Sequence, residues 1–542
     1  MNLSALMITL NTPLGPASEE TLMFESLSAS EELGRLFSMD ITALSTKATH
    51  DPLDMLGKDV SVALELQDDS KRYLHGHVTS FGLAGVSSGF FQYRMTVQPW
   101  LMFLARRANN RIFQEKSVKD ILEVIFNECP ASPKFRFQLS QAHPVWEYCV
   151  QYRETDFNFV SRLMEQEGIY YYFEHTADGH TMVLVDSVDS HEPCAGSCSS
   201  IPFVLQSGSS GLMETAYINH WQLTNSLQPG KTTIRDYDFK KSKQLLEGTL
   251  SNAIVAPDGE MEIYDFPGDF LVNGEGRQYA RIRLEELQSQ HLRVQGGGTA
   301  RGIACGHTFE LTDHPRDDQN IKHLVLSTHL QCRLSAHEAG GGGDTHVSCS
   351  FTAAPASTPF RPQRITPKTF VQGPQTAVVV GPAGEEIHCD EFGRVKVQFF
   401  WDREGQKDDK SSCWIRVSHP WAGKGWGAIS IPRIGQEVIV DFIEGDPDHP
   451  IITGRVYNDD QTVPFSLPGQ KVVSGIKSNT HKGSGYNELS MDDTAGKEKI
   501  NIHAQYDMIT VVEHDDTQTV HNARVIKVDA THTETITGNT SI

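Results

Sequence analysis

The chain is 542 residues long, with 38% hydrophobic residues, 21% charged residues and a formal net charge of −22. This length exceeds what one hydrophobic core serves and predicts three or four domains, while the composition is typical of a folded protein. Because so acidic a surface repels phosphate groups, we expect neither nucleic acid nor anionic lipid as a partner.

The amino-terminal segment 1–16 has no basic region, and Ser4, Thr9 and Pro13 interrupt its apolar run, so it lacks the pattern of a secretory signal. No apolar run approaches the 18 residues of a membrane helix. The nine cysteines are scattered and odd in number, which is typical of a reducing compartment. We therefore expect a cytoplasmic protein whose export, if any, needs no cleaved signal.

The first region, to about residue 360, mixes short strands with three helices. Ser117 is a plausible N-cap for a helix over 117–129, and Gly168 is the expected stop of a second helix over 156–167. The second helix is expected to bury Phe157, Val160, Leu163 and Met164. A third helix is predicted over about 276–293, with Tyr279, Ile282, Leu287 and His291 at helical spacing.

Alternating runs at 60–66, 73–78 and 91–97 predict antiparallel strands with one buried face. The glycine run at 339–344 predicts a loop tip. Residues 353–374 are rich in Pro, Ser and Thr and indicate either a linker or a surface strap.

Residues 375–458 have a different pattern from the first region: five or six short strands with turn signals recur within some eighty residues. This pattern predicts a small closed barrel. Two alternating sets are the expected barrel core: Val395, Val397 and Phe399, and Val438, Val440 and Phe442. Four of the seven tryptophans lie here: Trp401, Trp414, Trp421 and Trp426. They could stack on a ligand, but packing around the barrel is the favoured interpretation.

From about residue 500 the chain contains no Phe, Trp or Leu but is rich in Thr, Val and Ile in strand-like alternation. Ordering this segment costs roughly 40–80 kcal/mol of backbone entropy, which about 1,600–3,200 Å² of apolar burial would offset. Small side chains on one strand cannot bury that area. The segment is therefore either disordered or wrapped together with copies from other chains, and its β-branched residues and regular alternation favour the second. The pattern predicts an intertwined β-prism, with a predicted core of Ile500, Ile502, Val511, Val525 and Val528.

Several short motifs match part of a catalytic or nucleotide-binding pattern but lack the rest of it. A GxSxG pattern at 85–89, with Ser87 at its centre, is typical of hydrolases only between a strand and a helix, whereas here an alternating run follows. A Ser/Gly hairpin is the favoured interpretation. The glycine-rich stretch 296–302 lacks the Lys-Ser/Thr pair of a phosphate loop.

Three groups resemble incomplete metal sites. His75 and His77 share one face of a strand, and His191 lies near Cys194 and Cys198 in sequence, but neither group shows enough ligands. The acidic run 444–450 could hold calcium, although its two prolines form a turn equally well, and the turn is favoured. We therefore predict no catalytic, cofactor or metal site, and no enzyme.

Long runs of this sequence resemble the VgrG family, the spike proteins of type VI secretion systems. The run 146–175 (WEYCVQYRETDFNFVSRLMEQEGIYYYFEH) looks like the family's hub signature, and 375–405 with 411–458 look like its OB-type barrel. The run 487–508 (NELSMDDTAGKEKINIHAQYDM) resembles the entry to its needle.

The resemblance implies a mainly β fold with α+β insertions, similar to the hub and spike of contractile phage tails. Residues 1–365 would form a base with two tube-like β-barrels, 366–460 an OB-type barrel, and 461–542 a neck and the start of a triple-stranded β-helix needle formed by a trimer. Because the alternation is still running at Ile542, we expect the needle to be truncated.

The same resemblance implies a homotrimer that seats on the hexameric ring of the Hcp tube protein. It also implies a PAAR-type protein at the tip, effectors with their adaptors as cargo, and passage across a target membrane by puncture, followed by secretion through the apparatus. Two alternatives remain: a spike that also carries an enzymatic effector activity, and a component of a phage tail.

Overall fold

The computed structural model describes residues 8–87, 89–205, 216–252, 261–334 and 345–541, which form two compact units divided between Val456 and Tyr457. Ser4, Ser88 and the predicted loop tip at 339–344 lie outside these residues.

The hub, which precedes the barrel, holds most of the strands. Its described strands are β1 (Ile8–Asn11), β2 (Met23–Glu32), β3 (Ser38–Ser45), β4 (Asp59–Glu65), β5 (Lys71–Ser87), β6 (Phe90–Gln98), β7 (Ala108–Ser117), β8 (Phe135–Gln138), β9 (Val145–Thr155), β10 (Tyr170–Thr176), β11 (Gly179–Val185), β12 (Ser200–Pro202), β13 (Ile218–Asn225), β14 (Lys231–Asp236), β15 (Leu246–Ser251), β16 (Glu262–Asp265), β17 (Leu292–Gly298), β18 (Thr308–Thr312), β19 (Lys322–Leu334) and β20 (Thr345–Pro355).

A twelve-stranded sheet dominates the hub, with the order β1-β4-β5-β6-β3-β2-β19-β20-β17-β13 and with β18 joining β12 to β19. Its two lobes, one of β1 to β6 and the other of β12, β13 and β17 to β20, meet where β2 pairs antiparallel with β19, from Glu32↔Ser327 to Ser26↔Arg333. Alternate residues of these strands point into one large apolar core. The predicted strands at 60–66, 73–78 and 91–97 are β4, part of β5 and β6.

The described residues of the hub include three α-helices: α1 (Val118–Asn127), α2 (Asp156–Glu167) and α3 (Asn273–Gln288). The Ser117 hydroxyl accepts from the Asp120 amide and the Asp120 carboxylate accepts from the Ser117 amide, which is a capping box. Gly168 ends α2 with φ +69°, a left-handed conformation that glycine adopts without a Cβ penalty. Both predicted helix ends are confirmed.

The helix predictions differ from the structure in two details. On α2, Val160, Leu163 and Met164 are buried as predicted and Phe157 is half-buried against the same core, but the fully buried Phe159 was not predicted. The helix α3 ends at Gln288, five residues before the predicted end, because Leu292 begins strand β17, whose backbone pairs with β13 and β20.

Of the predicted segment 353–374, residues 353–355 end strand β20, and residues 356–374 are a strap fastened to the hub. The Arg361 guanidinium is buried, where its Nε donates to Glu285 (2.7 Å) and its Nη1 to the carbonyl oxygens of Gly168 and Asp186 (3.1 and 2.6 Å). Farther along, the Thr366 amide donates to the Glu165 carboxylate (2.9 Å). Of the two sequence interpretations, a linker or a strap, the strap is confirmed.

The small barrel follows the strap. Its strands are β21 (Gln375–Val380), β22 (Lys396–Phe399), β23 (Arg416–Val417), β24 (Trp421–Ala422), β25 (Gly427–Ala428), β26 (Glu437–Phe442) and β27 (Pro450–Val456). The sheet order β22-β21-β26-β27-β23 closes through a bridge between Val395 and Ile415. Both predicted alternating sets are buried in its core, against which Ile112 and Tyr152 of the hub pack.

The second unit, residues 457–541 as described, contains one three-stranded antiparallel sheet with the order β28 (Val473–Lys477), β29 (Glu488–Asp492) and β30 (Lys499–His503). The described residues from 505 onward are exposed, and the described residues after β30 contain no strand within this chain. The mainly β architecture with helical insertions is confirmed.

Candidate functional site: an exposed apolar face near the C-terminus

The three-stranded sheet of the second unit has one apolar and one polar face. Leu489 lies opposite both Ile476 and Ile502, and Met491 lies opposite Ser474 and Ile500. Because directly paired residues share a face and side chains alternate along a strand, these residues form a single surface. We call it the apolar sheet face, comprising Ser474, Ile476, Leu489, Met491, Ile500 and Ile502.

This apolar sheet face is exposed in the single chain. Ile500 is 70% exposed and Ile502 61%, and Ile476, Leu489 and Met491 are also exposed. Burying such a side chain stabilises by about 1.5–3 kcal/mol. Covering five partly exposed ones would contribute roughly 5–9 kcal/mol per chain. A three-stranded sheet whose apolar face is exposed to water has only marginal stability by itself, so we expect this face to pack against another surface.

The opposite face of the sheet is polar and satisfied within the chain. The Glu488 carboxylate accepts from Ser490 Oγ (2.6 Å) and Asn501 Nδ2 (3.2 Å), and Lys477 Nζ lies 3.8 Å away. Hydrogen bonding by Ser490 lowers the pKa of Glu488. The sheet therefore has one polar face that is hydrogen-bonded within the chain and one apolar face that the described chain leaves exposed.

The predicted needle core is brought together in part. Ile500 and Ile502 share the apolar sheet face. Val511, Val525 and Val528 follow β30, outside the strands, and each is exposed. Their place in a trimer core stays a prediction. Ile476, Leu489 and Met491 were missed, although the alternation of Leu489 and Met491 within β29 was a usable signal.

The GxSxG pattern lies in a hairpin. Strand β5 ends at Ser87, β6 begins at Phe90, and the two pair antiparallel from Ser87↔Phe90 onward. A strand follows the pattern where a nucleophile elbow requires a helix. The hairpin interpretation is confirmed.

His75 and His77 belong to a group of four histidines with His175 and His180. The Nδ1 atoms of His75 and His180 lie 3.0 Å apart, and the Trp100 amide donates to His180 Nε2 (3.0 Å), which assigns the proton between the two rings to His180. His77 instead contacts Asp59, Nδ1 to Oδ1 2.8 Å. Burial lowers the pKa of His75 to about 4 and of His180 to about 2. The lowered pKa values keep His75 and His180 neutral at pH 7, so the hydrogen bond between their rings is a contact within the hub core.

The other candidate metal groups have protein partners. His191 bonds Tyr170 Oη (2.9 Å) and the Gly306 carbonyl (2.7 Å), while Cys194 and Cys198 are buried free thiols whose pKa burial raises. Within the described ranges, the group whose potential ligand atoms all lie within 4.8 Å of one another is Asp269, Asp446 and His449.

A lysine occupies this acidic group. Lys368 Nζ lies 2.6 Å from Asp446, 2.9 Å from Asp448 and 3.8 Å from Asp269. Burial acts to lower the pKa of Lys368, but the three carboxylates outweigh it and raise the pKa above its ordinary value. The acidic run is a turn between β26 and β27, as favoured, and Lys368 supplies its cation.

The tryptophan interpretation is correct for two residues and wrong for two. Trp401 stacks on Phe399, centroids 5.0 Å apart, and Trp414 packs on His388 at 4.8 Å. Trp421 and Trp426 point into solvent on β24 and just before β25. In the described part of the chain, no helix is long and apolar enough to cross a membrane.

Three family models match successive parts of the chain. The phage tail baseplate hub (GPD) model matches residues 30–335, the type VI secretion system/phage-baseplate injector OB domain model 377–457, and the bacteriophage T4 gp5 C-terminal trimerisation domain model 474–542. The trimerisation match begins at the apolar sheet face. The predicted OB-type barrel and trimeric needle are confirmed as fold classes.

Curated relatives cover nearly the whole chain. It is 44% identical over 528 residues to the type VI secretion system spike protein VgrG1c of Pseudomonas aeruginosa, covering 96% of this chain and 72% of the relative. It is 43% identical over 513 residues to VgrG1a of the same species, covering 94% and 79%.

Solved structures share the fold. The Escherichia coli type VI component c3393, described as similar to T4 tail proteins gp27 and gp5, aligns with TM-score 0.59 and 22% identity, covering 83% of this chain and 99% of that one. The Francisella PdpA-VgrG complex in its half-lidded form aligns with TM-score 0.56 and 10% identity, covering 92% and 88%. Hub, barrel, trimerisation segment and relatives agree: the chain belongs to the VgrG family of type VI secretion system spike proteins.

Proposed function

We propose that a homotrimer of this chain forms the puncturing spike at the tip of a type VI secretion apparatus. Residues 1–365 are the base that seats on the Hcp tube, 366–460 the OB-type barrel, and 461–542 the neck and needle that lead toward a PAAR-type tip protein. The protein transmits force rather than lowering a chemical barrier, and it crosses the target membrane by puncture.

The apolar sheet face carries the proposal. It is exposed in one chain, begins within the region matched by the trimerisation model, and lies opposite a satisfied polar face. A trimer that covers this face converts three marginal sheets into one rigid element.

The two lobes of the hub sheet support seating on the tube. Each chain contributes two lobes joined at β2 and β19, so three chains would present six similar elements. A hexameric Hcp ring offers six matching positions, and repeated contacts of this kind suit symmetric assembly.

Cargo is proposed by analogy with one neighbour. The Francisella VgrG structure is a complex with PdpA, which supports a spike that carries another protein. We propose that effectors and adaptors travel with this chain, from cytoplasmic synthesis to secretion without a cleaved signal peptide.

An enzymatic spike is the second candidate. This chain is 36% identical over 521 residues to the actin cross-linking toxin VgrG1 of Vibrio cholerae but covers 47% of it. The three family models that match this chain describe a hub, an OB domain and a trimerisation domain. The mechanical role is therefore favoured for these residues.

A secretion assay tests the proposal. In the source bacterium lacking its own copy, the wild-type chain should restore release of both Hcp and the spike into the medium, and Ile500→Asp/Ile502→Asp should not. Ile500→Leu/Ile502→Leu, which changes the same two positions and keeps them apolar, is the control. Release supported equally by the aspartate variant would contradict a trimeric spike.

A further inference from the structure

A short two-stranded arm, residues 418–430, projects from the barrel. Its base is fastened to β27, because the Ser418 amide donates to the Ile452 carbonyl (2.8 Å) and Arg455 Nη1 donates to Ser430 Oγ (2.9 Å). Between these points the ten residues 421–430 are all exposed. We call residues 418–430 the tryptophan arm.

The tryptophan arm is built to hold two indoles in a fixed arrangement. Trp421 pairs with Ala428 across the arm, and the rings of Trp421 and Trp426 meet edge to face, with centroids 5.2 Å apart at 79°. A Cβ on Gly423 would collide with the Trp426 ring. Gly427 has φ +137° and its missing Cβ leaves room for the Trp421 carbonyl. The sequence of the arm thus serves the placement of its tryptophans.

The barrel does not use these indoles. Its core is completed by residues such as Val379, Val397 and Val440, all fully buried. Trp421 is 64% exposed and Trp426 59%, with Ile429 exposed beside them. A tryptophan buries about 150–250 Å² when it is covered, so preordered, uncovered indoles are typical of residues that anchor an interface.

We propose that the tryptophan arm is a clasp between subunits, which packs against a second copy of this chain in the spike trimer. Each arm would contact the next chain around the threefold axis, a head-to-tail arrangement that closes after three subunits. The proposal rests on the trimeric spike of the proposed function and names a contact outside its needle.

Charge complementarity favours a second copy as the occupant. The charged or titratable residues between Ser418 and Pro432 are His419 and Lys424, with no acidic residue among them, whereas the whole chain carries −22. A basic, aromatic arm is therefore attracted to the acidic surface of a sister chain.

Chain connectivity favours the same occupant. Sixteen residues, 457–472, separate the end of β27 from the start of β28. Once three chains associate through their apolar sheet faces, this short connection keeps the barrels of the three chains near one another. Each barrel then meets the other two at an effective concentration on the order of millimolar. Even a weak contact by the arm is then occupied.

Photocrosslinking of the full-length trimer tests the clasp. With Trp426→benzoylphenylalanine in the purified protein, illumination should yield covalent dimers and trimers of this chain on a denaturing gel. Phe400→benzoylphenylalanine, an equally exposed aromatic position on the same barrel (66%), should yield at least fivefold less product.

Native sedimentation of the same samples separates this proposal from the proposed function. A trimer that gives no interchain product from Trp426 overturns the clasp and leaves the spike intact. Product that appears exclusively with a different polypeptide, when the apparatus proteins are added, also overturns it. A monomer by sedimentation overturns both.

A second variant guards against an inefficient crosslinker. Trp421→Ser/Trp426→Ser should raise the protein concentration at which the trimer half-dissociates at least tenfold, while Phe400→Ser leaves it unchanged. Equal dissociation of the double variant and the wild type would contradict the clasp.

Discussion

The barrel and the C-terminal sheet use the same local pattern with opposite results. In β26, Val438, Val440 and Phe442 alternate and are buried in a core that this chain closes by itself. In β30, Ile500 and Ile502 alternate in the same way and stay exposed. Alternation therefore identifies the apolar face of a strand, but whether the same chain covers that face depends on how many further strands it supplies.

The largest expected effect comes from charging the face that is left uncovered. Ile500→Asp/Ile502→Asp would remove six isoleucines from a trimer, a loss on the order of 10 kcal/mol of burial, and would place six carboxylates against apolar surface. We expect monomers at micromolar concentration by native mass spectrometry.

Ile500→Leu/Ile502→Leu provides the matched control for this pair, because it changes the same two positions and keeps them apolar. It should remain trimeric. A trimer formed equally well by the aspartate variant would mean that the apolar sheet face is not the association surface.

The group of four histidines should make the first of the two compact units less stable in acid. Because burial holds the pKa of His75 at about 4 and of His180 at about 2, the unfolded chain binds more protons once the pH falls below about 6.5. Stability present above pH 6.5 is then lost on acidification, by roughly 4 kcal/mol for the two groups at pH 5.

Urea unfolding followed by circular dichroism at pH 7 and pH 5 measures this loss. In His75→Gln/His180→Gln the free energy of unfolding should differ less between pH 7 and pH 5 than in the wild type, by most of that amount. His220→Gln, an exposed histidine, should behave as wild type. An unchanged pH dependence in the double variant would show that these rings do not govern it.

Lys368→Ala should destabilise the junction of strap and barrel. The change leaves Asp446 and Asp448 without their cation, at a cost of about 2 kcal/mol, since the lysine is partly exposed. Urea unfolding monitored by tryptophan fluorescence reads this change, with the exposed Lys58→Ala as control. Equal midpoints for both variants would show that the turn does not depend on Lys368.

The smallest expected effect is at a helix cap. Ser117→Ala removes the hydroxyl that accepts from the Asp120 amide and should cost about 1 kcal/mol. Thermal unfolding by differential scanning fluorimetry should show a small downward shift, and Ser117→Thr, which keeps the hydroxyl, should unfold near the wild-type temperature. A shift of the same size in Ser117→Thr would argue against capping.

Features set by neighbours in sequence were predictable. The cap at Ser117, the stop at Gly168 and the alternating core of the barrel each depend on a few consecutive residues. The long family-like runs indicated the hub, barrel and needle as a whole.

Features that join distant residues were not predictable from one sequence. His180 lies 105 residues from His75, and Lys368 reaches an acidic turn 78 residues away. Trp421 and Trp426 are large apolar residues of the kind usually found in a core. They are exposed because they lie on a two-stranded arm too short to cover them. That Ile500 and Ile502 share one face was predictable because their alternation is local.

Sedimentation equilibrium of the unmodified, purified chain at micromolar concentration tests most directly whether three copies share the C-terminal sheet. We predict a single species of three times the chain mass that persists on dilution to submicromolar concentration. A species of one chain mass across this range would contradict the trimeric spike.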